Sequence, residues 1–179
     1  MKRRIDKASD TRFWECFVEA VQGLSLQAEN LTLPTKWWHW SLARRAEHLL
    51  AQVRESQMPP RFESRIVQTI ALQGLLISHQ RPIDLRKTIK QRIGKLEKLV
   101  KKKGSDYNAG KISILEYWIL GQTSIFHEIH KRALRLVSLG NSQRSPRFDS
   151  IGETGLDIAA FCLFLLAYKR GGFALWKSH

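Results

Sequence analysis

Apolar residues recur at intervals of three and four along most of the chain, and this spacing places them on one side of an α-helix. The pattern predicts main helices that begin near residues 10, 34, 62, 83, 123 and 150. No stretch shows the convincing alternation of a β-strand, and no internal repeat is present. The sequence therefore predicts an all-α protein, a helical bundle with an N-terminal helical extension.

Glycine and proline residues mark where these helices are expected to begin and end. We expect the first helix to end near Gly23, the second to begin at Pro34 or its neighbour, and the fourth to end at Gly104. We place a domain boundary near residue 81. Residues 1–80 then form an N-terminal helical region of unknown role, and residues 81–179 form a second helical domain.

The composition is that of a folded protein with a large positive charge. Hydrophobic residues make up 43% of the chain, and 30 Lys and Arg against 16 Asp and Glu give a net charge of +14. Residues 81–111 contain 11 basic and 3 acidic residues, a net of +8 within one amphipathic helix and the turn expected after it. Two interpretations stay open for residues 81–103, a solvated helix face or a site for nucleic acid or nucleotide phosphates.

The apolar segments and the cysteines bear on the cellular compartment that we expect for the protein. The longest apolar run, residues 158–168, has 11 residues, whereas a membrane span needs about 20. We therefore expect a buried helix and no membrane association. Cys16 and Cys162 are far apart in sequence and are expected to be buried and reduced. No signal-peptide pattern is visible at the N-terminus, which favours a cytoplasmic location.

Three tryptophans close to basic residues allow two interpretations. Trp37, Trp38 and Trp40 could stack on nucleic-acid bases, or they could pack into the core. Their helical spacing favours packing of Trp37 and Trp40 into the core. Trp38 is then the tryptophan available to solvent.

Carboxylates on two predicted helices form the candidate chemical site. Glu128 lies on the fifth predicted helix, and Glu153 and Asp157 share one face of the sixth. Three carboxylates from two packed helices would suit Mg²⁺, and Lys131 and Arg135 would then neutralise phosphate charge. The simpler alternative is that these carboxylates and cations form salt bridges across the helix pair without a metal.

Three short motifs in the second half of the chain resemble those of a known family. They are a K-x-x-D-Y turn, an acid followed by K-x-x-x-R, and an E-x-x-x-D helix that continues into an aliphatic run, represented by Lys103, Asp106, Tyr107, Glu128, Lys131, Arg135, Glu153 and Asp157. With these motifs, residues 90–170 resemble the nucleotide-modification-associated domain family. That family is related to the all-α nucleotide pyrophosphohydrolases of the MazG and dimeric dUTPase group.

The resemblance implies a nucleotide-binding domain, either an Mg²⁺-dependent (deoxy)nucleoside triphosphate pyrophosphohydrolase or an accessory protein of nucleotide modification. Glu128, Glu153 and Asp157 would be both the catalytic residues and the metal ligands. The nucleotide would be bound by Lys103, Asp106, Tyr107, Lys131 and Arg135. Domains of this helical class commonly bury apolar faces by dimerising, so a homo-oligomer is expected.

The chain departs from the family at a functional position. The pyrophosphohydrolases carry E-x-x-E on the first of these helices, whereas Lys131 and Arg132 follow at the third and fourth positions after Glu128. One metal ligand is therefore missing, and Asn108 replaces the usual glycine after the D-Y pair. The alternative function is a non-enzymatic nucleic-acid-binding or assembly protein that keeps the helical scaffold and uses the basic helix.

Overall fold

A computed structural model describes residues 7–28, 33–34, 36–56, 63–80, 82–109, 114–118, 120–142, 150–171 and 173, without the side chains of residues 7–8 and 103–109. Within this part of the chain there are six α-helices and no β-strand. The helices are α1 (Lys7–Gln27), α2 (Leu42–Glu55), α3 (Ser64–Leu76), α4 (Leu85–Ala109), α5 (Gln122–Asn141) and α6 (Ile151–Arg170). Short 3-10 turns, Trp37–His39 and Ile114–Tyr117, precede α2 and α5. The predicted all-α bundle is confirmed.

Three of the predicted helix boundaries are wrong. The first helix continues through Gly23 to Gln27, because one glycine lowers helix stability without ending the helix. The second begins at Leu42, since the tryptophan segment forms its own 3-10 turn. The fourth continues past Gly104 to Ala109, so the polar turn predicted after the lysine run is helical up to that residue.

Polar side chains cap the first turns of α2 and α6 and fix where these two helices begin. The Ser41 hydroxyl accepts a hydrogen bond from the Arg44 N–H at 3.3 Å and caps α2. At the start of α6, the Ser150 hydroxyl accepts from the Glu153 N–H at 3.2 Å. The Glu153 carboxylate in turn accepts from the Ser150 N–H at 2.7 Å. This reciprocal pair is a capping box, which fixes where α6 begins.

Helix α6 is the centre of the bundle. It packs against α1, α3 and α5, and α2 packs on the outer side of α5. By length and composition α6 could cross a membrane, and 67% of its most apolar stretch is buried inside the bundle. The absence of a membrane partner stays a prediction. The helices before and after residue 81 share one hydrophobic core, and the domain boundary proposed there stays a prediction.

Two glycines allow α3 and α6 to approach closely. A Cβ added to Gly74 would lie 2.8 Å from the Gly155 carbonyl oxygen, and a Cβ on Gly155 would overlap the Gly74 carbonyl. Neither backbone can move away without separating the two helices, so both positions require a residue without a side chain. This contact sets the distance between α3 and α6.

Two arginines satisfy the carbonyl groups at the buried carboxyl end of α3. Arg45 on α2 donates to the carbonyls of Ile77 and His79, at 3.3 and 2.6 Å. It also donates to Trp37 and Trp38 in the 3-10 turn, at 3.0 and 3.1 Å. Burial lowers the pKa of Arg45, whose side chain is almost fully enclosed. The four hydrogen bonds offset the cost of that burial.

The second arginine, Arg92, connects α4 to the same region. It donates to the Leu75 carbonyl on α3 at 3.2 Å and to the Gly152 carbonyl in the first turn of α6 at 3.3 Å. Burial lowers the pKa of Arg92 as well. Arg92 is therefore the one basic residue of the described part of α4 whose side chain is turned into the bundle.

The tryptophans and cysteines lie largely where the sequence predicts. Trp37 is fully buried, with its ring 6.0 Å from that of Trp40, so the packing interpretation is confirmed for this pair. Trp38 is partly buried against the core rather than exposed. Cys16 and Cys162 are buried free thiols, as expected.

We predict that Gly155→Ala destabilises the protein by about 1–3 kcal/mol, because the added methyl group forces α3 and α6 apart. The matched control is Gly94→Ala on α4, where an added Cβ meets nothing within 4 Å. That substitution should stabilise the helix by about 0.5–1 kcal/mol. Urea unfolding followed by circular dichroism measures both values, and equal effects of the two substitutions would contradict the close-approach argument.

We predict that Arg45→Met costs about 2–4 kcal/mol of unfolding free energy, because it leaves buried carbonyl groups without donors. Arg54→Met removes an equal charge from the exposed end of the same helix and should change stability by less than about 0.5 kcal/mol. Thermal and urea unfolding of the two variants give the comparison. A small loss for Arg45→Met would show that water replaces the guanidinium.

Candidate ligand-binding site

A cavity of about 700 Å³ lies between α1, α4, α5, α6 and the 3-10 turn Ile114–Tyr117. Its volume is in the usual range for small-molecule sites. Apolar and aromatic side chains form most of its wall, and polar side chains gather where α5 and α6 face each other. The polar group comprises Thr123, Ser124, His127, Glu128, Arg132 and Asp157.

Aromatic rings from four elements form the apolar wall. The ring of Trp118 meets that of Phe161 edge-on, with centroids 5.7 Å apart, and Phe161 meets Phe164 in the same way at 5.8 Å. Trp14 on α1 reaches Phe164 at 6.3 Å, and Tyr117 completes the aromatic part of the lining. These edge-to-face contacts hold the rings at fixed angles in the cavity wall.

One donor in this wall has no acceptor. The Trp118 side chain is buried, and its indole N–H has no hydrogen-bond partner among the described residues. An unpaired buried donor is costly, and buried indole groups usually find a partner. An ordered water, or an acceptor outside the described residues, would remove this cost.

The turn before α5 brings its first residues to the cavity. Gly121 has φ 57°, a conformation that favours glycine, and it lets the chain turn sharply from Trp118 into the helix. The Ser124 hydroxyl then accepts a hydrogen bond from the Leu120 N–H at 3.0 Å. This turn fixes the position of Ser124 in the cavity wall.

Arg132 joins the two carboxylates at the polar end of the cavity. It forms a short ion pair with Glu128 on its own helix, and its Nε lies 3.5 Å from the Asp157 carboxylate on α6. Its guanidinium carbon also lies 4.1 Å from the centre of the Phe161 ring. Each of the three charged side chains is less than 30% exposed, so solvent screens these contacts incompletely. The cluster therefore holds α5 and α6 in one register beside the cavity.

The pKa of Glu128 is held below its ordinary value of 4.5. Partial burial acts in the opposite direction and raises it. The hydrogen bonds from Arg132 and Lys131, with the positive charges of both groups, outweigh burial. Glu128 is consequently ionised throughout the neutral range.

The other predicted site residues occupy different places. Glu153 is exposed in the first turn of α6, where the Ser150 N–H donates to its carboxylate and lowers its pKa. On the solvent side, the Lys131 ammonium donates a hydrogen bond to the Glu128 carboxylate, with 3.1 Å between the two atoms. Arg135 is exposed farther along α5. None of these three residues lines the cavity. The structure therefore brings together Glu128 and Asp157 and leaves Glu153 apart.

Three predicted nucleotide-binding residues lie outside the described side chains. The backbone of Lys103, Asp106 and Tyr107 is in the last turns of α4, where the sequence predicted a turn. Their predicted contacts stay predictions.

The carboxylates as arranged do not fit a magnesium site. Arg132 occupies the space between Glu128 and Asp157, and the Glu153 carboxylate is used by the cap of α6. Among the described residues, no group of three or more His, Cys, Asp or Glu side chains is placed to hold a metal ion. Magnesium binding stays a prediction from the resemblance, without support from this arrangement.

The sequence reasoning missed the residues that complete the site. In the sequence, Arg132 stands out only as a departure from the E-x-x-E motif, although its position four residues after Glu128 is the spacing of an intrahelical ion pair. Trp14, Trp118 and Phe164 come from elements far apart in the chain. Helical periodicity indicates that such residues are buried, but it does not indicate which cavity they surround.

Comparisons of the chain with known protein families, with curated proteins and with solved structures found no match. The resemblance to the nucleotide-modification-associated domain family therefore stays a prediction from the motifs themselves.

We predict that the stability contributed by Glu128 depends on pH. Because its pKa is lower in the folded protein, this contribution is present above about pH 4.5 and is lost as the pH falls through the folded value. Glu128→Gln should reduce the unfolding free energy by about 1–3 kcal/mol at pH 7, and the difference from the unmodified protein should shrink below about pH 4.5. Urea unfolding at a series of pH values measures this difference.

The matched control is Glu19→Gln, which removes the carboxylate of an exposed ion pair with Arg170. Its effect should stay below about 1 kcal/mol at every pH, because both partners are solvated. A difference for Glu128→Gln that stays constant on acidification would show that the Arg132 pair does not stabilise the ionised form.

Proposed function

We propose that the protein binds a nucleotide, with the base and sugar in the cavity between α5 and α6. The observation that carries this proposal is the combination, in one cavity of about 700 Å³, of aromatic walls with a carboxylate–arginine cluster at one end. The motifs that resemble a nucleotide-handling family point to the same class of ligand.

The cavity wall offers complementary chemistry for a purine or pyrimidine base. A planar base stacks on an aromatic ring of this wall, such as that of Trp118, and stacking is worth about 1–3 kcal/mol per base. The edge of a base carries both N–H donors and carbonyl or ring-nitrogen acceptors. The carboxylates of Glu128 and Asp157 accept from the donors, and Arg132 donates to the acceptors.

Basic residues that would neutralise the phosphates lie on α4, which forms one wall of the cavity. Leu99 lines the cavity, and Lys95 and Lys102 lie one helical turn before and after it, with exposed side chains. A phosphate chain that leaves the cavity along α4 would meet these two lysines, which carry charge without a fixed hydrogen-bond geometry.

The proposal is binding rather than hydrolysis. The carboxylates that line the cavity form ion pairs with Arg132, which neutralises charge that a metal ion would need, while their remaining lone pairs can still accept from a base. The accessory function in nucleotide modification, which the resemblance also implies, needs binding alone.

We predict that at least one of the common nucleoside triphosphates binds with micromolar to millimolar affinity. The eight ribo- and deoxyribonucleoside triphosphates are tested separately by isothermal titration calorimetry, with and without magnesium. Trp118→Leu removes an aromatic stacking surface, and Asp157→Asn keeps the shape of the side chain and removes its charge. Each should weaken binding by about tenfold, the loss of one stacking contact or of one hydrogen bond to a charged group.

Glu19→Gln, which changes an exposed carboxylate outside the cavity, serves as the control and should bind normally. Absence of heat and of saturation-transfer signals for all eight nucleotides at millimolar concentration would contradict the proposal. Equal weakening by the control variant would place the binding site elsewhere.

A further inference from the structure

The solvent side of α4 carries a dense set of unpaired positive charges. Between Leu85 and Lys102 the only acidic residue is Glu97, which is partly buried. Six exposed cations form no ion pair within the described part of the chain: Arg86, Lys87, Lys90, Lys95, Lys98 and Lys101. Holding so many like charges on one helix is unfavourable unless a polyanion or counterions neutralise them.

These cations occupy one half of the helix. At about 100° per residue they fall within a half-circle, and the stripe from Arg86 to Lys102 is about 24 Å long. Gly94 lies near the middle of this half-circle, and nothing comes within 4 Å of the position of its absent Cβ. The middle of the face therefore has no side chain to keep a flat or convex partner away, and no described residue comes close to it.

The buried and exposed side chains of α4 together indicate which class of polyanion fits the cationic face. Ile89, Ile93, Leu96 and Val100 are buried in the bundle, so they cannot insert into a bilayer as a membrane-bound amphipathic helix requires. No aromatic side chain lies among the exposed residues of α4 up to Lys102, so the face lacks the stacking surface that single strands use. Regularly spaced charge without stacking groups suits the phosphate backbone of a duplex.

We propose that the solvent face of α4 binds the phosphate backbone of duplex nucleic acid, independently of base sequence. The cavity wall is formed by the other side of the same helix, and the two sites share only Lys95 and Lys102 at the edge of the face. Over about 24 Å, the face spans about seven base pairs of axial rise.

The test measures salt dependence with a matched pair of triple variants. Lys90→Gln, Lys98→Gln and Lys101→Gln together remove three charges from the middle of the face. Lys36→Gln, Arg54→Gln and Arg65→Gln remove three exposed charges from the 3-10 turn, α2 and α3. The probe is a labelled duplex DNA of about 20 base pairs, and fluorescence anisotropy gives the affinity from about 50 to about 300 mM salt.

The slope of log K against log salt should become less steep by about 2–3 in the α4 variant, since each phosphate contact contributes about 0.9. Affinity at the lowest salt should fall at least about tenfold, and a duplex of unrelated sequence should behave alike. The second variant should keep the slope of the unmodified protein. Circular dichroism confirms that both variants fold.

Four results would overturn the proposal. They are no duplex binding at the lowest salt, equal losses in both triple variants, tighter binding of a single strand of the same length, and binding to phosphatidylserine vesicles without binding to duplex. Retained nucleotide binding in the α4 variant would show that the cavity is intact, so failure of this proposal is distinguishable from failure of the first.

Discussion

The carboxyl end of α3 is the constraint on which the rest of the bundle depends. A helix end presents carbonyl groups without intrahelical partners, and here they lie inside the protein, because residues 71–77 are all buried. Arg45 and Arg92 supply the donors from two other helices, and their positive charge also suits the negative end of the α3 dipole. The planar, forked guanidinium can reach several carbonyls at once, which a lysine ammonium cannot do with the same geometry. Burying the end of α3 therefore fixes where α2 and α4 lie.

The same region places the candidate site. Gly74 and Gly155 bring α6 against α3 one turn from the arginines, so the path of α6 is set at its first turns. Asp157 and Phe161 follow on the side of α6 that faces α5. Arg132 then joins the two helices beside the cavity. The cavity is a consequence of how α6 is held against α3 on one side and paired with α5 on another.

Much of the fold is predictable from the sequence, because helical periodicity and polar caps are local signals. The capping box of Ser150 and Glu153 marks the start of α6 within one residue. The end of α4 was mispredicted, since a glycine after a lysine run is a local stop signal that the surrounding helix overrides. Pairing between helices is not local. The pairing of Arg132 with Asp157 depends on the rotation of α5 against α6, and the sequence pattern leaves that rotation open.

The two faces of α4 differ in chemistry, since one is apolar and buried and the other is cationic and exposed. Its apolar side is held in the core by Ile89, Leu96 and their neighbours, and Arg92 is the basic side chain turned inward among the described residues. The other described basic side chains of α4 are exposed, and their mutual repulsion lowers helix stability. A sequence under selection for stability alone would mix acids among them, as the outer faces of surface helices usually do. The cost of keeping the face cationic is therefore the physical reason to assign it a polyanionic partner, independently of what occupies the cavity behind it.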